Sequence, residues 1–187
     1  MRADARENRD RVLEAAGEVF AAEGADASLR LVAREADVGL ATLLRHFPSR
    51  DALLEALLRT GFSRLAARGA ELRDAHDARV ALLTWLRDFV ECADTYRGVV
   101  VAMTAAIEDP QSALHAACVE MRTSGADLLV RAQEAGAVRR DLDGTDLFLL
   151  AGGIAWTYGQ GRTTPQRAHL LDVQLEALLA QRSSAGT

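Results

Sequence analysis

SLRLVAREADVGLATLLRHFPSRD, residues Ser28 to Asp51, is the stretch whose reading decides the fold. Ser28 is placed to cap a helix, because its hydroxyl can accept an unpaired backbone N–H of the opening turn. Leu29, Val32, Ala33 and Ala36 then recur at helical spacing, while Arg30, Arg34 and Glu35 point elsewhere. Asp37 falls where the chain must turn, and Asp tolerates left-handed backbone better than most residues other than Gly. Gly39 opens a second short helix, LATLLRHF, which Pro48-Ser49 breaks before the chain restarts as DALLEALL. Two helices joined by about three or four residues make a helix-turn-helix, whose second helix can enter a DNA major groove.

Within this motif Leu29, Val32, Val38, Leu43 and Phe47 read as a small core, and Leu40, Ala41, Leu44 and Arg45 surround the outer side of the second helix. Thr42 can offer its hydroxyl to a base or phosphate and its methyl to a thymine methyl. Arg45 can pair with a guanine, which would specify sequence, or with a phosphate, which would only position the protein. Upstream, a first helix from about Asp4 to Ala22 carries an apolar stripe of Val12, Leu13, Ala16, Val19 and Phe20, and Gly24 ends it. It reads as a brace for the motif, with Arg2 and Arg6 available as a loose arm toward backbone or minor groove.

At these residues the sequence resembles the TetR family of one-component transcriptional regulators. The pattern appears as Phe20 to Gly24 (FAAEG), Ser28, Ala36 to Val38, Leu40 to Arg45, His46 to Arg50 (HFPSR) and Leu53-Leu54, over roughly the first quarter to third of the chain. There are two departures. Asp37 stands where the family usually has Gly, and Leu44 stands where it usually has an aromatic that contacts a phosphate. The resemblance implies phosphate contacts for His46, which could alternatively cap the last carbonyls of its helix, and for Arg50. The residues expected at DNA are therefore Ser28, Arg30, Gly39, Leu40, Ala41, Thr42, Leu44, Arg45, His46 and Arg50. It also implies an all-α fold: a three-helix DNA-binding head over 1–48 and a helical ligand-binding and dimerisation domain over 49–187, about nine helices in all.

Composition is compatible with that reading without proving it. A hydrophobic content of 49% with 26% charged residues is that of a globular protein and argues against disorder. No apolar run approaches a membrane span and the first residues lack a signal-peptide core, so the expected compartment is the cytoplasm. The net charge of −5 gives no general attraction to DNA, but binding depends on the local field, and Arg2, Arg6, Arg9 and Arg11 crowd the N-terminus. All 22 basic residues are Arg. Cys92 and Cys118 are too few and too far apart for a disulfide scaffold or a zinc site, and no metal or cofactor is expected.

Beyond the motif the chain reads as successive helices. Ser49 to about Leu72 is one long helix through Leu53, Leu54, Leu57, Leu58, Phe62 and Leu65. Asp77 to Asp94 is a second with a broad apolar face. Val99 to Val101 looks strand-like by composition but, with no partner strand, reads as a short buried helix. Asp109-Pro110 is expected to start a helix ending near Gly136, in which Gly125 weakens the helix or leaves room for a ligand or neighbour. Asp143 or Thr145 is placed to cap the next helix, and residues 160–165 break the chain before the last one. SSAGT at the end reads as a frayed tail.

The last two helices are apolar on too many sides for one small core, which predicts a homodimer through Phe148, Gly152, Leu171, Leu175 and Leu178, with Gly152-Gly153 permitting close approach. A symmetric pair would read two half-sites of a double-stranded operator. A small-molecule effector would sit among Trp85, Phe89, Met103, Thr104, His115, Met121, Leu128 and Trp156. Its polar contacts would come from Thr104, His115, Gln133 and Tyr158, which points to an apolar or aromatic compound. The leading reading is a ligand-released repressor. Two alternatives stand beside it, a helical interaction module whose DNA reading Leu44 has weakened and a thiol-based redox regulator using Cys92 or Cys118. An enzyme is not expected, because no phosphate loop, metal-ligand spacing or nucleophile motif is present.

Overall fold

The computed structural model describes residues 2–158 and 164–179, and over them the chain forms ten α-helices and no strand. In order these are α1 (Arg2–Glu23), α2 (Leu29–Glu35), α3 (Leu40–His46), α4 (Arg50–Leu72) and α5 (Ala78–Thr95). There follow α6 (Arg97–Ala102), α7 (Thr104–Glu108), α8 (Ala113–Glu134), α9 (Gly144–Tyr158) and α10 (Thr164–Leu179). The chain divides into two compact units, one of Met1–Gly61 with Thr95–Cys118, the other of Phe62–Asp94 with Val119–Thr187.

In the first unit α1 packs on α2, α3 and α6, burying Val12, Ala16, Val19 and Phe20. Gly24 ends α1 with a φ of +87°, the left-handed backbone that a residue without Cβ adopts at no steric cost. Because α1 is helical from Arg2 onward, Arg2 and Arg6 belong to a helix and not to a loose arm. Leu53, Leu54, Leu57 and Leu58 of α4 are buried, and Ser49 starts that helix by accepting the Ala52 N–H at 3.1 Å. The valine run lies in one short helix, α6, but that helix is only partly buried. Met103 separates α6 from α7, Val99 is buried and Val101 is 72% exposed. This extra break is why there are more helices than expected. Nor does α8 begin at Asp109-Pro110. Asp109 folds a turn by accepting the Gln111 N–H at 2.9 Å, and Ser112 caps the helix by accepting that of His115 at 2.9 Å.

The second unit is built on α5. Trp85 is buried and its indole N–H donates to the Leu65 carbonyl of α4 at 2.9 Å, so the ring's one polar atom is satisfied. Gly125 of α8 makes room for that ring, since a Cβ there would lie 2.5 Å from it. Leu82, Leu86, Met121, Leu128, Leu129 and Leu175 are fully buried, each contributing about 1.5–3 kcal/mol relative to exposure. Gln133 holds the joint after α8 by donating to the carbonyls of Arg139 and Leu142 at 3.1 and 2.9 Å. Asp143 caps α9, accepting from the N–H groups of Thr145 and Asp146 at 2.7 and 2.9 Å. Arg79–Glu176, Arg87–Asp172 and Asp94–Arg167 join α5 to α10. Pairs as open as Arg87–Asp172 are worth about 0–1 kcal/mol, so the apolar burial dominates. The expected break at 160–165 falls mostly on residues 159–163, and the SSAGT tail on 183–187, both outside the described residues.

Candidate nucleic-acid interface

The helix-turn-helix is assembled from short-range caps and one long-range fastening. Ser28 accepts the Arg30 N–H at 3.2 Å and starts α2. The Val38 N–H closes back on the Ala33 carbonyl at 2.9 Å, and Asp37 between them takes a φ of +50°, the conformation the turn demands. Gly39 in extended backbone precedes α3. Arg11 of α1 then reaches across the turn, donating to the carbonyls of Ala36 and Asp37 at 2.6 and 3.1 Å and to the Asp37 carboxylate at 3.2 Å. In the sequence Arg11 stands out only as local charge. Its partners lie 25 and 26 residues away, beyond any helical periodicity.

On α3, Leu43 is buried with the C-terminal Phe47 and anchors the helix. Ala41, Leu44 and Arg45 are exposed, and Leu40, Thr42 and His46 are half-buried. Arg45 donates to the Thr42 hydroxyl at 2.8 Å, so the two polar side chains singled out for base or phosphate contact stand together. The His46 ring lies 6.5 Å from that of Phe47 and, among the described residues, makes no side-chain hydrogen bond to the carbonyls ending α3. Arg50 opens α4 beside Asp26 at 3.4 Å, and both are open enough to separate at little cost. Ser28 and Arg30 lie exposed at the start of α2. The two helices of the motif thus bring Arg30, Thr42, Arg45 and His46 into one small unit, with the charge on the exposed side.

The residues expected around an effector are divided between the two compact units. Met103, Thr104 and His115 belong to the first unit and the remaining five to the second. The Thr104 hydroxyl donates to carbonyls of its own helical turn, Val100 and Val101; the His115 Nδ1 lies 2.8 Å from the Ile107 carbonyl; Gln133 is used at its joint. The Tyr158 ring lies under the Arg167 guanidinium at 4.3 Å. Met121 and Leu128 are sealed core, and Trp156 is 62% exposed. Trp85 and Phe89 do share a narrow cavity of about 10 Å³, roughly the space of one water, with Arg122, Gly125, Gly144, Leu147, Phe148 and Ala151. Phe89 stacks on Trp85 and meets Phe148 edge-on, and the Arg122 guanidinium stands 4.6 Å over Phe148. Gly144, Phe148 and Arg122 were not read as lining residues; their helices meet only after folding.

The expected dimer contacts differ in how far their own chain covers them. Leu171 and Leu175 are buried against their own chain, and Phe148, Gly152 and Leu178 are half-buried. What faces outward is Leu149, Leu150, Gly153 and Trp156 on α9, with Leu170 and Val173 on α10. Apart from chain neighbours and the nearby backbone of α9 itself, no described atom lies within 4 Å of where a Cβ on Gly152 or Gly153 would stand. As for the thiols, both are buried, and burial pushes the Cys92 thiol up from its ordinary 9.0, offset in part by Arg64. That disfavours the thiolate a redox sensor needs.

Comparison with known proteins places the sequence. A family model described as bacterial regulatory proteins, tetR family, matches residues 12–57. A second, described as transcriptional regulator SbtR-like, C-terminal domain, matches residues 77–180. The TetR transcriptional regulator SCO0520 from Streptomyces coelicolor is 35% identical, over 92% of this chain and 98% of that one, with a TM-score of 0.74. A TetR transcription regulatory protein from Mycobacterium vanbaalenii is 31% identical, over 96% and 99%, with a TM-score of 0.69. LfrR from Mycobacterium smegmatis, a TetR-like regulator solved in complex with proflavine, is alike in fold, at 20% identity over 92% and 94% and a TM-score of 0.72. No curated protein matches.

Proposed function

The chain belongs to the TetR family of transcriptional regulators, and from that premise we propose that it is a cytoplasmic, homodimeric repressor released from its operator by a small molecule. The observation that carries the DNA half is α3 itself, anchored by Leu43 and Phe47 and presenting the hydrogen-bonded Thr42–Arg45 pair on its open side. A helix held at both ends with its polar side chains outward is what a major groove receives. The effector half is supported by the aromatic cavity of Trp85, Phe89 and Phe148 with the Arg122 guanidinium at its side, and by the proflavine complex of a protein with the same fold. That lining favours an aromatic compound. The dimer is supported by the outward apolar face of α9 and α10. No described helix is long and apolar enough to cross a membrane.

The effector acts by binding the DNA-competent and DNA-free conformations with different affinity, without which no release occurs. Trp85 is the residue through which we route that difference, because it lines the cavity and donates to α4, the helix that also continues from the DNA-binding motif. The test is binding to a palindromic fragment from the DNA flanking the protein's own gene, at several salt concentrations, for wild type and Arg45→Ala. Tight, steeply salt-dependent binding, weakened more than tenfold in the variant, is expected. Equal and weak binding by both on that fragment and on duplexes selected from a random pool would reject DNA reading by α3.

A further inference from the structure

We propose that Arg11 is a positioning residue for DNA reading, which sets α3 by tying the turn in front of it to α1. The inference rests on DNA reading by α3. A recognition helix of two turns has little rigidity of its own, so its aim depends on what fixes its ends. At the leading end one Arg11 nitrogen, Nη2, donates to two successive carbonyls, Ala36 and Asp37, and to the Asp37 carboxylate. At the trailing end Arg9, from the same turn of α1, places its guanidinium 5.4 Å from the centroid of the Phe47 ring. Two arginines that a charge count assigns to phosphate thus face the protein.

The carbonyl bonds matter most. Ala36 ends α2, where backbone carbonyls lack helical partners, and a charged donor makes the stronger kind of hydrogen bond to them. The Asp37 carboxylate is almost fully exposed, and an ion pair so open adds little. Asp37 also holds the left-handed conformation that Gly takes more easily. Arg11 therefore steadies a turn whose left-handed position is not a glycine, and the backbone oxygens, present whatever residue stands at 37, are its working partners.

The experiment compares Arg11→Ala, Arg11→Lys and Asp37→Gly with wild type in the full-length protein. Hydrogen exchange is read at the Val38 amide, with Leu53 to Leu57 of α4 as internal reference. Affinity is read on a duplex that the wild type selects from a random pool. Arg11→Ala is expected to speed exchange at Val38 about tenfold with the α4 amides unchanged, and to weaken binding about tenfold at an unaltered salt slope. Arg11→Lys, whose ammonium can donate to the same carbonyls, recovers a large part of both, and Asp37→Gly stays within about twofold of wild type. Unchanged exchange at Val38, or equal acceleration in α4, overturns the proposal. So does a salt slope reduced by about one, the mark of a lost phosphate contact. Should the wild type select no duplex, the reading of α3 as a DNA helix fails, and the exchange comparison alone then decides whether Arg11 holds the turn.

Discussion

Leu44 is 39% exposed on α3, at the position where the family pattern has an aromatic. Its side chain has no core to leave, so Leu44→Tyr is expected to change stability by no more than about 0.5 kcal/mol. The added hydroxyl can donate to a phosphate, which positions without specifying. Affinity for the selected operator should therefore rise several-fold with base preference unchanged, as read by titration against single-base variants of the duplex. Cys92 offers a second test. Burial raises its pKa above the 9.0 of the free thiol, so the folded chain keeps the proton where the unfolded chain begins to lose it. Its contribution is undiminished below pH 9 and declines as the pH rises through the folded value. Urea unfolding between pH 8 and 10 should show that loss for wild type and a smaller one for Cys92→Ala. Residues whose roles are local were legible in the sequence, as with the Ser28 cap and the positive φ of Asp37. Arg11 was not, because nothing in the intervening residues marks what it will meet.

At the level of elements, Gly125 is where helix propensity and packing oppose one another. Alanine at a helical glycine gains about 1 kcal/mol, but here its Cβ would stand 2.5 Å from the Trp85 ring, and the bond to Leu65 keeps that ring from yielding. Overpacking costs about 1–3 kcal/mol, so Gly125→Ala should lower the urea midpoint with the slope unchanged. Helix existence was legible from period and caps; helix starts and faces were less so. Pro110 is a good first-turn residue, yet Ser112 offered a side-chain cap two residues later and α8 begins there. On α9 and α10 the expected contacts Phe148, Gly152 and Leu171 are each one residue from Leu149, Gly153 and Leu170, which face outward. One residue is about 100° of helix rotation. A helix apolar all round carries no pattern that says which face turns inward.

For the whole molecule, the outward face of α9 and α10 is the surface on which dimerisation is expected to depend. Leu149→Glu with Val173→Asp changes two positions that are 67% and 51% exposed, so the fold is retained. Sedimentation should nonetheless show a shift to monomer, and operator affinity should fall at least a hundredfold as paired half-sites are lost. Single exposed variants such as Val80→Glu, on α5, should leave both unchanged. The sequence places a boundary after residue 48, whereas the two compact units divide within α4, after Gly61, and Thr95–Cys118 belongs to the first of them. The cavity was not legible either, since Arg122, Gly144 and Phe148 come together only through tertiary packing. The contrast between the two tryptophans also makes the protein its own optical gauge. Trp85 is 2% exposed and Trp156 62%, so iodide reaches one indole and not the other. On dilution below the dimerisation constant, the quenchable share of emission should grow through Trp156 alone. An aromatic compound entering beside Trp85 should instead dim the shielded share. Association and effector binding would then be read from one unlabelled sample, as two separable colours of the same light.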